Sequence, residues 1–203
     1  MNVLDAIQQR RAVKHFDPTH VMPAEIEQQL LNAARLAPTS FNIQHWRFVL
    51  VKNPELRAQV RAAAWNQAQI TDASLTIVLC ADVNAWQKQP ERYWRDLPDA
   101  ATRELMVNML QDFYRGREWL QRDEAMRSVG LAAQTLMLTA QELGYGACPM
   151  IGFDIDAVGK LINLPDDHVV GMIVTIGKPI REAFPRSGAM SYEDVVIENR
   201  FSV

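Results

Sequence analysis

The chain has 203 residues, 48% of them hydrophobic, with 21 Lys and Arg against 24 Asp and Glu and a net charge of −3. This fits one globular domain able to bury a sizeable core, and it excludes the basic surface expected of a nucleic-acid binder. No segment reaches the roughly 18 apolar residues of a membrane span.

A short helix pattern, Val3, Leu4 and Ile7, runs into Gln9-Arg10-Arg11-Ala12-Val13-Lys14-His15-Phe16. Pro23 opens a second helix, with Ile26, Leu30, Ala33, Ala34 and Ala37 at helical spacing. A helix-to-strand connection follows, Ala37-Pro38-Thr39-Ser40-Phe41-Asn42-Ile43-Gln44-His45-Trp46, rich in hydroxyl and amide side chains. Strands are expected over 46–51 and 75–81, the second apolar almost throughout, which suggests burial on both faces. A helix over 54–64 lies between them.

The stretch 84–122 is charged and dense in aromatics, and Pro90 and Pro98 interrupt it. It reads as helical excursions, either a surface helix with core aromatics or a lid over a ligand pocket. The clearest helix is 123–143, apolar nearly all round and therefore central, with Gly144 as its C′ cap. A short strand at 145–149, a helix at 154–161 and a third long strand at 168–176 complete the core pattern, which closes at Gly177-Lys178-Pro179. Beyond Pro179 the chain is polar until Val195, Val196 and Ile197, a tail that rarely holds itself down and is placed to cover another subunit. The uneven alternation of strands and helices gives α+β or mixed α/β in three layers.

Several chemistries fail for want of a motif. There is no Gly-x-Gly-x-x-Gly after a strand, no Walker lysine loop and no Gly-x-Ser-x-Gly elbow. His15, His20, His45 and His168 are scattered, and Asp166-Asp167 after Pro165 reads as a turn, so no metal site is expected. Cys80 and Cys148 lie in apolar runs and make neither a disulfide framework nor a ligand spacing. With no secretory pattern at the N-terminus, a reducing, cytoplasmic setting is expected. What remains is the cluster Arg10, Arg11 and Lys14, followed by the hydroxyl and amide run. The planar guanidinium fork suits phosphate. The two segments together suit a ligand with a phosphate, several hydroxyls and a polar ring edge. FMN has all three.

The two segments also resemble the opening signatures of the nitroreductase-like flavoproteins, Arg-Arg-Ser-x-Arg/Lys-x-Phe and Ala-Pro-Ser-x-x-Asn-x-Gln-Pro-Trp. Similarity continues through Asn66 ahead of Thr71-Asp72-Ala73-Ser74, Leu143-Gly144-Tyr145-Gly146, Pro149-Met150-Ile151-Gly152-Phe153, Ile176-Gly177-Lys178-Pro179 and Pro185-Arg186. The resemblance covers almost the whole length. It implies one α+β domain over 1–203, a three-layer α/β/α sandwich on a mixed, mostly antiparallel sheet. It also implies an intertwined homodimer, with 180–203 as a swapped tail, and FMN in clefts between the subunits. NADH or NADPH would supply hydride, and a small-molecule acceptor such as a nitroaromatic or quinone would take turns with it in one pocket.

Carried onto this chain, the resemblance sets Arg10, Arg11 and Arg186 at the FMN phosphate and Lys14 at the N1/O2 edge. Asn66 and Gln69 fall at the pyrimidine edge, and Ala12 and Met150 are further cofactor positions. Pro38, Thr39, Ser40 and Asn42 come from the partner subunit. The backbone N–H groups of Ile151 and Gly152 face N5 and O4. No side-chain acid or base is required. Phe41, Trp94, Phe113 and Tyr114 are expected to line the acceptor pocket. The chain departs from the signatures at Ala12 (usually Ser), His45 (usually Pro), Gln69 (Lys in some relatives) and Ile151 (often Glu). The alternatives are a specialised branch of the fold (dehalogenation, flavin fragmentation, or aldehyde or enoyl reduction) and a flavin-binding module without turnover of its own.

Overall fold

The structure, a computed structural model, describes residues 2–201. Its sheet has four strands, β1 (Trp46–Leu50), β2 (Leu75–Asp82), β3 (Gly146–Met150) and β4 (His168–Gly177), in the order β1-β2-β4-β3. All three pairings of these strands are antiparallel, and an isolated parallel bridge joins Ala12 to Ala147.

Helices cover both faces, because the two-residue period of the strands sends alternate side chains to opposite sides. Leu75, Ile77, Leu79 and Ala81 of β2 pack with Leu30 and Ala34 of α2 (Ala24–Ala34) and with Ala125, Val129, Ala133 and Leu136 of α6 (Glu118–Glu142). Val78 and Cys80 point the other way, toward Val60 of α3 (Pro54–Ala63) and Val158 of α7 (Ile155–Leu161). The expected three-layer α+β sandwich is therefore what forms. Cys80 is a buried hydrophobe, its thiol pushed up to about 12 by burial.

The stretch 84–122 resolves into two 3-10 turns (Ala85–Gln87 and Pro90–Trp94) and α5 (Ala100–Tyr114). The central helix α6 starts at Glu118, ahead of the expected 123, because Gly116 at φ 69° ends α5 early. Two short helices were not expected, α4 (Gln69–Asp72) and, in the tail, α8 (Tyr192–Val195). No described helix is long and apolar enough to cross a membrane.

The segment after α1 (Val3–Gln9) positions the site. Asn2 and Asp5 form a capping box at the start of α1. After Arg10 the chain runs extended along β3, where the Val13 N–H donates to the Ala147 carbonyl at 3.0 Å. It then meets the chain leaving β4. Asp17 N–H donates to the Lys178 carbonyl at 2.9 Å, and Ile180 N–H to the His15 carbonyl at 3.1 Å. Val13 and Phe16 are buried over Gly146 and Gly177, which are opposite each other in the β3–β4 register. A Cβ on Gly146 would lie 2.7 Å from Val13 Cγ2, and one on Gly177 would lie 3.0 Å from Phe16 Cδ1. Only glycines allow this approach.

Gly146→Ala is therefore expected to destabilise the protein by about 1–3 kcal/mol through overpacking. Val13→Ala in the same chain should recover part of that loss, so that the two changes are non-additive. Urea unfolding of both single variants and the double variant checks this, and simple additivity would contradict it.

Candidate functional site

Three guanidiniums gather where α1 ends. Arg186 Nη2 donates to the carbonyls of Ile7 (3.0 Å) and Arg10 (3.5 Å), and Arg11 Nη1 donates to those of Gln8 (2.6 Å) and Arg10 (3.0 Å). The Arg10 guanidinium is held below its ordinary pKa by partial burial and then by the charges of Arg186 and Arg11. None of the three pairs with a carboxylate among the described residues. Cys148 lies beside this group. Burial raises its thiol, and Lys14 and Arg10 pull it partly back. Lys14 and Ala12 line a small depression with His15 and residues 181–184.

The end of β3 carries the second part. Past Met150, which is buried, Ile151 is exposed, and Gly152 lies against the ring of Trp65. A Cβ on Gly152 would stand 2.9 Å from that ring. Trp65 and Asn66 leave α3 in the left-handed conformation, at φ 53° and 57°, and Asn66 is exposed. The Gln67 side chain donates to the Gly152 carbonyl at 2.7 Å and accepts from the buried Gln69 at 3.0 Å. Gln69 thus stands behind Gln67, which makes the direct contact. Trp65 and Gln67 were not foreseen. A tryptophan and an asparagine ending a helix were the available signal, since Asn tolerates the left-handed region.

The third part is the loop Thr39–Gln44. Phe41, Asn42 and Gln44 all have positive φ, near 50–55°, an unusual run for residues with a Cβ and one that clusters at functional loops. The Asn42 side chain donates to the Tyr93 carbonyl at 2.9 Å, and Thr39 Oγ1 accepts from Gln44 N–H at 3.1 Å. Pro38 is exposed, and Ser40 faces the Tyr114 hydroxyl. Phe41 meets Trp94, Phe113 and Tyr114 with ring centroids 6.4, 5.7 and 6.1 Å away. The four expected pocket aromatics are one cluster, in which Phe113 reaches solvent while Trp94 and Tyr114 lie beneath.

No hydrogen bond, ion pair or ring contact among the described residues joins this loop to the arginine group. A separate ionic clamp ties the start of the excursion to the sheet. The buried Asp82 carboxylate accepts from Lys88 Nζ (2.8 Å), Arg47 Nη2 (3.2 Å) and Asn84 N–H (3.0 Å). Lys88 also meets Asp167, whose carboxyl its hydrogen bond, and then that of His168, holds below the usual range. Ligand atoms of Asp82, Asp167 and His168 lie within 4.8 Å of one another, but the Lys88 ammonium takes up both carboxylates.

The fold is an antiparallel α+β sandwich, with a cationic group lacking carboxylate partners where the chain runs along edge strand β3. The chain matches the Nitroreductase family over residues 7–178 and belongs to it. It is 54% identical over 183 residues to Protein DrgA of Synechocystis, covering 90% of this chain and 87% of that one. It is 32% identical over 182 residues to MhqN of Bacillus subtilis, provisionally named an NAD(P)H nitroreductase, with 87% and 88% covered. Among solved structures it is similar to a provisionally named nitroreductase of Exiguobacterium sibiricum in complex with FMN, at 26% identity and TM-score 0.89, with 97% of each chain covered.

His45, standing where the signature has Pro, anchors the loop. It is fully buried, its Nδ1 is 3.0 Å from Ser128 Oγ on α6, and its Nε2 has no partner. Burial lowers its pKa from 6.5 to about 4, against a smaller opposing pull from Asp82. Well above pH 6.5 the ring is neutral folded or unfolded, and its protonation adds nothing to the pH dependence of stability. As pH falls from 6.5 toward 4, the unfolded chain takes up a proton that the native ring refuses, and stability drops. The drop should total about 3 kcal/mol at 1.36 kcal/mol per pKa unit. Denaturant midpoints from pH 7 to 4 should fall more steeply for wild type than for His45→Gln. Parallel curves would show that the ring titrates normally.

Proposed function

We propose that this chain is an FMN-dependent NAD(P)H oxidoreductase that passes electrons to flat, electron-poor acceptors such as nitroaromatics and quinones. The observation that carries the reading is the group Arg10, Arg11 and Arg186, three mutually repelling cations with no acid between them. Such a group fits a phosphate dianion, which accepts several guanidinium bonds at once. Family membership, and the FMN found in the Exiguobacterium protein, support the same choice.

The residues present fit the rest of the group. Lys14 supplies an ammonium for a pyrimidine edge, and exposed Asn66 an amide. Past β3, Gly152 adds no side chain of its own beside the Trp65 ring, and among the described residues the N–H groups of Ile151 and Gly152 donate to no acceptor. When bound, FMN supplies hydride chemistry, which the protein orients and tunes. Phe41 and Phe113 offer an apolar face for a flat acceptor.

The reading also calls for a homodimer. The family resemblance implies that the Pro38–Asn42 loop of one chain completes the cofactor site on the arginine group of the other, and no direct contact joins the two within one chain among the described residues. Val3, Leu4 and Ile7 on α1, with Phe184, Tyr192, Val195, Ile197 and Phe201 in the tail, are exposed apolar side chains, a surface that calls for a partner.

The visible spectrum of purified protein tests the cofactor, followed by anaerobic titration with NADH and NADPH. Protein that is colourless and takes up no FMN would overturn the reading. Arg10→Ala should weaken FMN binding by about 1.5–3 kcal/mol, roughly ten- to a hundredfold. Removing residues from Met190 onward should weaken both dimerisation and FMN retention in sedimentation and dialysis. A monomer that holds FMN tightly would contradict the two-chain site.

A further inference from the structure

A second cationic cleft adjoins the Thr39–Gln44 loop. It has a volume of about 390 Å³ and is lined by four arginines, Arg35, Arg47, Arg92 and Arg95, against one acid, Asp96. The chain as a whole is acidic, so this concentration is local. Arg47 is engaged in the frame, donating to the Trp46 carbonyl at 2.8 Å and to Asp82 at 3.2 Å. The other three are not neutralised. Among the described residues the Arg35 side chain donates only to Asn32 Oδ1, at 3.3 Å. Arg92 lies 5.0 Å from the Tyr93 ring centroid and donates to the Tyr93 hydroxyl at 3.0 Å. Arg95 and Asp96 approach only to 3.8 Å with side chains 79% and 95% exposed, a pair worth little in water.

The cleft adjoins the loop already assigned to the cofactor. Asn42 and Gln44 form part of its wall, and the Asn42 amide is bonded to the Tyr93 carbonyl on the opposite wall at 2.9 Å. On the proposed reading Asn42 also meets the flavin, so one molecule can place an anion in this cleft and its other end at the cofactor. Of the two nicotinamide donors, NADPH carries an additional phosphate monoester remote from the nicotinamide ring. We infer that Arg35, Arg92 and Arg95 receive the 2′-phosphate of NADPH and give this chain a preference for NADPH over NADH. Three forks from the end of α2 and the turn at 90–95 can share the phosphate oxygens, each as a charge-assisted donor. The inference rests on the oxidoreductase reading, and it assigns donor choice to residues that hold no part of the FMN.

Calorimetric titration of the FMN-loaded protein with 2′,5′-ADP and with 5′-AMP tests the site without turnover. The first should bind at least tenfold more tightly. Arg35→Gln with Arg95→Gln, both on exposed side chains, should abolish that advantage, and the matching Lys pair should restore most of it. In steady-state assays the Gln pair should raise KM for NADPH about tenfold while kcat, and KM for NADH, change less than twofold. Equal binding of the two nucleotides to wild type, or an unchanged NADPH preference in the Gln pair, overturns the inference. Failure of the oxidoreductase reading looks different, because then neither NADH nor NADPH bleaches the flavin absorbance, whatever the nucleotides do at the cleft.

Discussion

The seating of Val13 and Phe16 on the paired glycines Gly146 and Gly177 is the contact on which the site depends. It converts the end of a short surface helix into an added edge of the sheet, held by the Val13–Ala147 and Asp17–Lys178 backbone bonds. Arg10, Arg11 and Lys14 are thereby fixed beside Cys148. The chain leaving β4 is drawn against the same edge, which returns Arg186 to residues more than 170 positions earlier. A Cβ at Gly146 would crowd Val13, which is the residue next to Lys14 and two from Arg11.

A group of like charges needs something to offset its repulsion. Here α1 provides it. The last carbonyls of a helix lack intrahelical partners and carry the negative end of its dipole. Arg11 and Arg186 spend their N–H groups on the carbonyls of Ile7, Gln8 and Arg10, which tolerate cations without adding a carboxylate. A carboxylate would compete with an incoming anion, whereas a carbonyl releases a guanidinium at little cost.

Much of the frame was legible in the sequence, because β1, β2, β4 and the central helix are long apolar patterns whose period decides their type. The cation cluster was legible for the same local reason. What escaped depends on contacts between distant segments. Gln67 and Gln69 differ by two residues and have the same side chain, so only the position of Gly152 decides which one touches it. Nothing local marks Gly171 as the extra residue opposite Leu79 and Cys80, yet a Cβ there would lie 2.6 Å from Val129 Cγ1 on α6. The arginine cleft combines residues 35, 47, 92 and 95, each an ordinary surface arginine in its own segment. His45 was visible as a departure from the Pro of the signature, but its burial against Ser128 comes from the crossing of α6 over β1.

The excursion between β2 and α6 divides the labour of the molecule. Its start is locked to the sheet through Asp82, Lys88 and Asp167, a carboxylate–ammonium–carboxylate contact whose Asp82 end is buried and poorly screened. Its aromatics then pack on Phe41, and its turn at 90–94 holds Asn42. The loop, the aromatic cluster and the arginine cleft therefore behave as one body, while the arginine group and Gly152 belong to the sheet edge. On the proposed reading the sheet edge holds the cofactor and the excursion meets whatever exchanges electrons with it. Substitutions in 84–114 can then alter donor and acceptor choice without disturbing the phosphate grip. The densest aromatic content falls in this same stretch, and with Ile43 and Phe41 it forms a core cluster of its own, distinct from the two that flank the sheet.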